Sequence, residues 1–257
     1  MNVAPRPSEL PVAVVTGATS GIGRAAARRF LAAGWRVAAT GRDVDALAAL
    51  AAEAPDRVRT LRADLLEDDA ITALARSVAA SEDQVDALVN AAGVIASDAL
   101  AGLDRRAFER MFALNVTAPV LLAQALLPWL EARKGAVVNV SSVTGVRAFP
   151  GVFSYCVSKA ALDQATRCAA LELAPRGVRV NAVNPGVVVT ELHKRGGMDE
   201  TQYAAFLERA KTTHPLGRPG LADEVAEAIY FLATPASSFI TGVTLPVDGG
   251  RAETCAR

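Results

Sequence analysis

With 257 residues and 51% hydrophobic content, the chain can bury the core of one large α/β domain or two small ones, and a disordered chain is excluded. Its 27 Lys plus Arg balance 27 Asp plus Glu with no basic block, which argues against a nucleic-acid surface. The three cysteines, Cys156, Cys168 and Cys255, lack CxxC spacing, so neither a disulfide frame nor a zinc site is expected, and a reducing, cytoplasmic compartment fits.

Residues 1–11 hold no apolar h-region, so no secretory signal is expected. The first apolar run, 12–16, predicts a strand. It passes through "TGATSGIG" (16–23) into a helix over 21–34 that stops at glycine. A strand over 36–40, a helix over 43–54, a strand over 58–65 and a helix over 67–80 follow. The segment 86–93 predicts a fourth strand, 104–133 a helix, 136–142 a strand and 153–174 a long helix. A strand over 178–186, helices over 199–211 and 221–234, and a short strand over 242–250 complete the chain. The most apolar run, 116–130, is short for a membrane span and carries Pro119, Gln124 and Pro128; a buried or subunit-facing helix is expected instead. Strands without alternation suit a parallel sheet covered on both faces. The expected fold is one doubly wound α/β domain of about seven strands over 1–257, with tails at 1–10 and 251–257.

Between the first strand and its helix, Gly17-x-x-x-Gly21-x-Gly23 can bring backbone close to a pyrophosphate at a helix N-terminus. It is not the G-x-G-x-x-G spacing, and a tight turn without a ligand has the same glycines. At the end of the second strand, Gly41 stands where a dinucleotide fold often carries an acid, and Arg42 follows. Arg offers a 2′-phosphate a planar donor fork, which favours NADP(H) over NAD(H). The alternative is a solvated Arg42 beside an Asp43 helix cap.

Ser142 closes the fifth strand, Tyr155 lies near the start of the long helix, and Lys159 is one turn beyond it. Residues four apart share a helix face, so both can reach a cleft at the strand ends. Alone, the pair also fits a packed Tyr and a solvated Lys.

Taken together, "TGATSGIG", "NAAG" (90–93), Asn115, Ser142, "YCVSK" (155–159) and "NPG" (184–186) resemble the short-chain dehydrogenase/reductase family over about residues 11–250. The resemblance implies a Rossmann-type fold, a homotetramer and a small carbonyl or alcohol substrate, with no nucleic-acid or membrane partner. It implies Asn115, Ser142, Tyr155 and Lys159 as catalytic residues, Asn115 on a helix distortion. It also implies Gly17, Ser20, Gly21, Ile22 and Gly23 at the cofactor phosphates, Asp64 and Leu65 at the adenine, and Asn90, Ala91 and Gly93 along the adenosine. Pro185, Gly186, Val188 and Thr190 would hold the nicotinamide end, and 190–215 would form a substrate lid.

Reducing a ketone requires a proton on the developing alkoxide. Tyrosine, with a free pKa of about 10, donates readily, and a nearby ammonium is expected to lower that pKa. Ser142 can hydrogen-bond the substrate oxygen, while Ser141 points to the opposite strand face. The expected pocket comprises Val143, Thr144, Arg147, Val152, Phe153, Val187, Leu192 and His193, with Arg147 as its anion contact. Cys156 is expected to pack, and His193 and His214 to be solvated, although His193 could touch substrate. No metal site is expected. A 3-oxoacyl-carrier-protein reductase would use basic residues near the cleft, with Arg147, His193, Lys194 and Arg195 as candidates. A polyol dehydrogenase would want more polar lining, and a catalytically silent NADP-binding protein would not need Asn115, Ser142, Tyr155 and Lys159 together.

Overall fold

The computed structural model describes residues 10–254 apart from 68 and 83. Its strands are β1 (Val12–Val15), β2 (Arg36–Gly41), β3 (Val58–Arg62), β4 (Ala87–Asn90), β5 (Ala136–Val140), β6 (Arg179–Pro185) and β7 (Thr244–Val247). All neighbours pair in parallel in one sheet of order β3-β2-β1-β4-β5-β6-β7. The order reverses between β1 and β4, which opens a crevice at their carboxyl ends. β1, β4 and β5 are buried at every position, as their unbroken apolar runs require, whereas β3 is mostly exposed at the sheet edge.

The helices are α1 (Gly21–Ala32), α2 (Val44–Glu53), α3 (Ala70–Ser81), α4 (Arg105–Phe112), α5 (Ala118–Arg133), α6 (Phe153–Leu173), α7 (Leu192–Arg195), α8 (Glu200–Thr213) and α9 (Ala222–Ala233). One core unites the sheet with α1, α2 and α9 through Phe30, Leu50, Ile229 and Leu232. The other joins it to α3, α5 and α6 through Leu74, Leu122, Leu126 and Ala170. Each fully buried Leu, Ile or Phe contributes about 1.5–3 kcal/mol. Phe30 meets the rings of Trp35 (4.9 Å) and Tyr230 (5.4 Å), locking α1 to α9.

Three predicted strands end early for one reason. Asp64 and Leu65, Ala91 to Gly93, and Ser142 leave the ladder and line the crevice instead, while Ser141 borders it with its N–H still bonded to the Val183 carbonyl (2.9 Å). The expected helix over 104–133 is broken by a π-turn at Ala113–Thr117 between α4 and α5. The whole run, Arg105–Arg133, is long and apolar enough to cross a membrane by length and composition. In this fold Leu122, Leu126 and Leu130 are fully buried in the core, while Val120 and Leu121 face outward. Arg251–Glu253, expected as tail, forms a turn whose Ala252 is buried, because Asp248 accepts its backbone N–H (2.6 Å) and that of Gly250 (2.9 Å). Cys255 lies outside the described residues.

Candidate active site

A cleft of about 770 Å³ runs across the carboxyl ends of the sheet. Its first wall is the β1–α1 turn. Gly17 has φ +66°, and a Cβ there would lie 2.9 Å from the Ala92 nitrogen and 3.0 Å from the Ala91 carbonyl. A Cβ on Gly23 would collide with the Gly17 carbonyl. Thr16 Oγ1 accepts from the Ala91 (3.0 Å) and Ala92 (3.1 Å) nitrogens, tying the end of β1 to that of β4. Gly17, Ser20, Gly21, Ile22 and Gly23 all line the cleft.

At the end of β2, Arg42 lines the cleft and reaches Asp64 (3.6 Å) with its side chain 61% exposed. Asp43 caps α2 by accepting from the Ala46 nitrogen (2.9 Å). Leu65, Ala91 and Gly93 also line the cleft. Asn90 stands behind that lining, donating to Asn139 Oδ1 (2.9 Å).

The other wall gathers the chemical groups. Ser142 Oγ caps the turn at Val143–Gly145 by accepting from the Thr144 nitrogen (3.1 Å). Asn184 Nδ2 donates to the Ser142 carbonyl and to Asp163 Oδ2, both at 2.8 Å, fastening the serine loop to α6. Ser141 also borders the cleft, but its hydroxyl donates to the Lys159 carbonyl (3.3 Å). Asn115, inside the π-turn, accepts from the Val94 nitrogen (3.0 Å) and donates to the Val94 carbonyl (3.0 Å) and Ser158 Oγ (3.1 Å). A Cβ on Gly93 would sit 3.2 Å from Asn115 Oδ1 and 3.7 Å from Lys159 Nζ, so these two groups flank one point.

Burial pushes the Tyr155 phenol up to about 12, partly offset by its hydrogen bond with Ser142. Lys159 is pushed down to about 8 by burial, with the Asp163 charge acting in the opposite direction. The net shift of Tyr155 is therefore upward, where a lowering by Lys159 was expected to prevail. The ammonium sits 5.6 Å from the phenol ring centroid and donates to the Val140 carbonyl (2.8 Å), so desolvation dominates.

Residues 17–252 match the family model described as enoyl-(acyl carrier protein) reductase. The chain belongs to the short-chain dehydrogenase/reductase family. It is 39% identical over 240 residues to an L-xylulose reductase of Mesocricetus auratus, covering 93% of this chain and 95% of that protein. A 2-keto-3-deoxy-L-fuconate dehydrogenase of Xanthomonas campestris pv. campestris is 36% identical over 244 residues, covering 92% of this chain and 78% of that protein. A solved short-chain dehydrogenase/reductase from Caenorhabditis elegans, with cofactor, matches at TM-score 0.90 with 31% identity over 98% of each chain. This family member is accordingly an NAD(P)-dependent oxidoreductase acting on ketones or secondary alcohols.

Within this dehydrogenase/reductase, Val143, Thr144, Val152, Pro185, Gly186, Val187, Val188, Thr190, Leu192 and His193 border the cleft. Arg147 and Phe153 do not. Arg147 is exposed and turns its Nε to the Ala252 carbonyl, and Phe153 lies two positions before Tyr155, about 200° around α6. His214 is buried rather than solvated, and His193 is partly buried. The His193 ring lies tilted against Phe206 (4.4 Å between centroids), and burial lowers its pKa. His214 is buried, its pKa lowered by burial; Nε2 accepts from the Val187 nitrogen (3.0 Å) while Nδ1 lies 3.0 Å from the Ala210 carbonyl. It thereby positions the loop after β6. Cys156 packs near the Phe149 carbonyl (3.8 Å). Of the candidate basic residues, Lys194 pairs with Glu191 and Glu200, and Arg195 Nη1 donates to Ser20 Oγ (3.0 Å). Sequence reasoning missed Asp163, Arg209 and Arg251. Asp163 was discoverable as an acid one turn beyond Lys159; the arginines had no local signal.

Proposed function

We propose that the chain is an NADP-preferring carbonyl reductase in which Tyr155 protonates the oxygen of the carbonyl being reduced. The observation that carries this reading is that Tyr155, Ser142 and Lys159 line one cleft, with Tyr155 bonded to Ser142, while Asn115 and Lys159 flank Gly93 in the same cleft. The glycine cradle at Gly17 and Gly23 fits a dinucleotide, because backbone there closes on backbone at the N-terminus of α1, where a pyrophosphate is favoured. Bound NADPH would supply the hydride. Gly17 to Gly23 would hold its phosphates, Asp64, Leu65, Ala91 and Gly93 its adenosine, and Pro185, Gly186, Val188 and Thr190 its nicotinamide end.

Tyr155 would pass its phenolic proton to the substrate oxygen, breaking its own O–H bond as the alcohol O–H forms. Ser142 would donate to the same oxygen as charge develops. Lys159 would hydrogen-bond the cofactor ribose and, with Asn115 as a positioning residue, help return a proton to the phenolate. A phenol raised to about 12 is protonated at neutral pH, so it has the proton to donate in reduction.

A pH dependence follows. The Lys159 ammonium, lowered to about 8, is retained below that pH and lost above it. Reductive kcat/KM is expected to be level below about 8 and to decline on the alkaline side. Alcohol oxidation, which needs the phenol to lose its proton, is expected to rise with pH. Profiles in both directions check this, and a reductive rate that climbs as pH passes about 8 contradicts it.

The NADP preference rests on Arg42 and Gly41. A Cβ at Gly41 would come within 2.5 Å of Thr19 Cγ2, so an acidic side chain there would have to displace Thr19. Arg42→Ala is expected to weaken NADP binding by about tenfold or more, the scale of a charge-assisted hydrogen bond, with little change for NAD. Cofactor titrations measure this, and an equal loss for both cofactors contradicts it. The reading includes a homotetramer, supported by the outward apolar residues Val120, Leu121, Val157 and Leu171 on α5 and α6. It places the protein in the cytoplasm, in line with the free thiols of Cys156 and Cys168, and takes 190–215 as a lid.

A further inference from the structure

We propose that the substrate end of the cleft is an anion site built on Arg251 with Arg209, and that the carbonyl substrate carries a carboxylate. The proposal rests on reading the cleft as the carbonyl-reducing site.

Both arginines border the same cleft as Tyr155 and Ser142. Arg251 is held in a fixed pose. Its Nη1 donates to the Thr213 carbonyl (3.2 Å) and Thr254 Oγ1 (3.4 Å), and its guanidinium lies 5.1 Å from the Phe149 ring centroid. Phe149 and Thr213 themselves line the cleft, so Arg251 spans two of its walls. The Arg147 bond to the Ala252 carbonyl pins the turn that carries it. The arginine expected to meet an anion therefore anchors the segment that presents another one.

These bonds orient the guanidinium without neutralising it, because every acceptor is uncharged. Among the described residues, no carboxylate pairs with Arg209 or Arg251. Glu191 pairs with Lys194 (3.7 Å) and Glu208 with Lys211 (2.6 Å), while the Asp248 carboxylate turns to the backbone of Gly250 and Ala252 and forms no ion pair with Arg251. Glu253 is exposed. Arg195 belongs to the other end, bonded to Ser20. An unpaired guanidinium in a partly enclosed cleft is suited to a carboxylate, which it can bind through two parallel N–H donors. A carrier protein would be recognised by charges on the rim, where Arg209 is exposed; Arg251 is half-buried in the wall, and it is this inner arginine that makes a small acid the better occupant.

The test uses matched pairs with the same ketone: 2-oxobutanoate, acetoacetate and levulinate, each against its methyl ester. The full chain is assayed for kcat/KM with NADPH, and calorimetry gives dissociation constants on the NADP+-loaded protein. At least one acid is expected to exceed its ester by about tenfold or more, the scale of a charge-assisted pair. Arg251→Met should lower that acid-to-ester ratio by about tenfold, while Arg251→Lys, which keeps the charge but not the two parallel donors, should restore only part of it. A wild-type ratio near one in both turnover and binding overturns the anion site, as does a ratio unchanged in the Arg209→Met, Arg251→Met double variant. Acid-selective binding without reduction of any compound would contradict the reductase reading and leave the anion site standing. An acetoacetyl thioester on acyl carrier protein, preferred over every acid with that preference lost in Arg251→Met, would overturn the small-acid assignment.

Discussion

Tyr155→Phe is expected to keep NADP(H) affinity within a few-fold and to lose turnover by about 10²–10⁴-fold, the range of a positioned general acid. The substitution removes one oxygen from a buried ring on α6. Burial leaves the ring's packing to hold the helix, and the Ser142 backbone remains fastened by Asn184. What disappears is the proton that the developing alkoxide needs and the partner of the Ser142 hydroxyl. Steady-state turnover alongside a cofactor titration separates chemistry from binding. Turnover within a few-fold of wild type would remove Tyr155 from the proposed chemistry.

Gly17→Val is expected to abolish cofactor binding and to destabilise the fold by about 3 kcal/mol or more, since positive-φ strain and a backbone collision add. The site has φ +66°, which a β-branched residue resists, and the new Cβ would press on the Ala91 and Ala92 backbone. That backbone cannot yield cheaply, because Thr16 Oγ1 holds both nitrogens. Thermal unfolding and cofactor titration measure the two effects. A variant with wild-type Tm and affinity would show that the turn neither closes on β4 nor cradles the cofactor.

Strand and helix alternation was legible because β1, β4 and β5 lie inside the sheet and must be apolar throughout. Their ends were less legible, since residues such as Ala91 and Ala92 are apolar for the cleft rather than for the ladder. The π-turn at Ala113–Thr117 was invisible to periodicity; it surfaced only as a resemblance-based expectation for Asn115. Tyr155 and Lys159 could be placed on one helix face from spacing, but not the direction of the ammonium, which turns to the Val140 carbonyl. His214 sits in a polar stretch yet is buried, because its ring serves the backbone of a loop 27 residues away. Arg147 turned away from the expected pocket for the same reason: a contact made across 105 residues leaves no local pattern.

The most direct test of the central claim is the fate of a label. Wild-type enzyme is supplied with NADPH carrying deuterium at the transferable C4 position and with a ketone that it reduces, and the product is read by mass spectrometry. The account predicts one deuterium on the new carbinol carbon, with the same product formed at a rate lowered by orders of magnitude in Tyr155→Phe. Alcohol without label, or NADPH that binds the cleft and is never oxidised by any ketone in the panel, would contradict it.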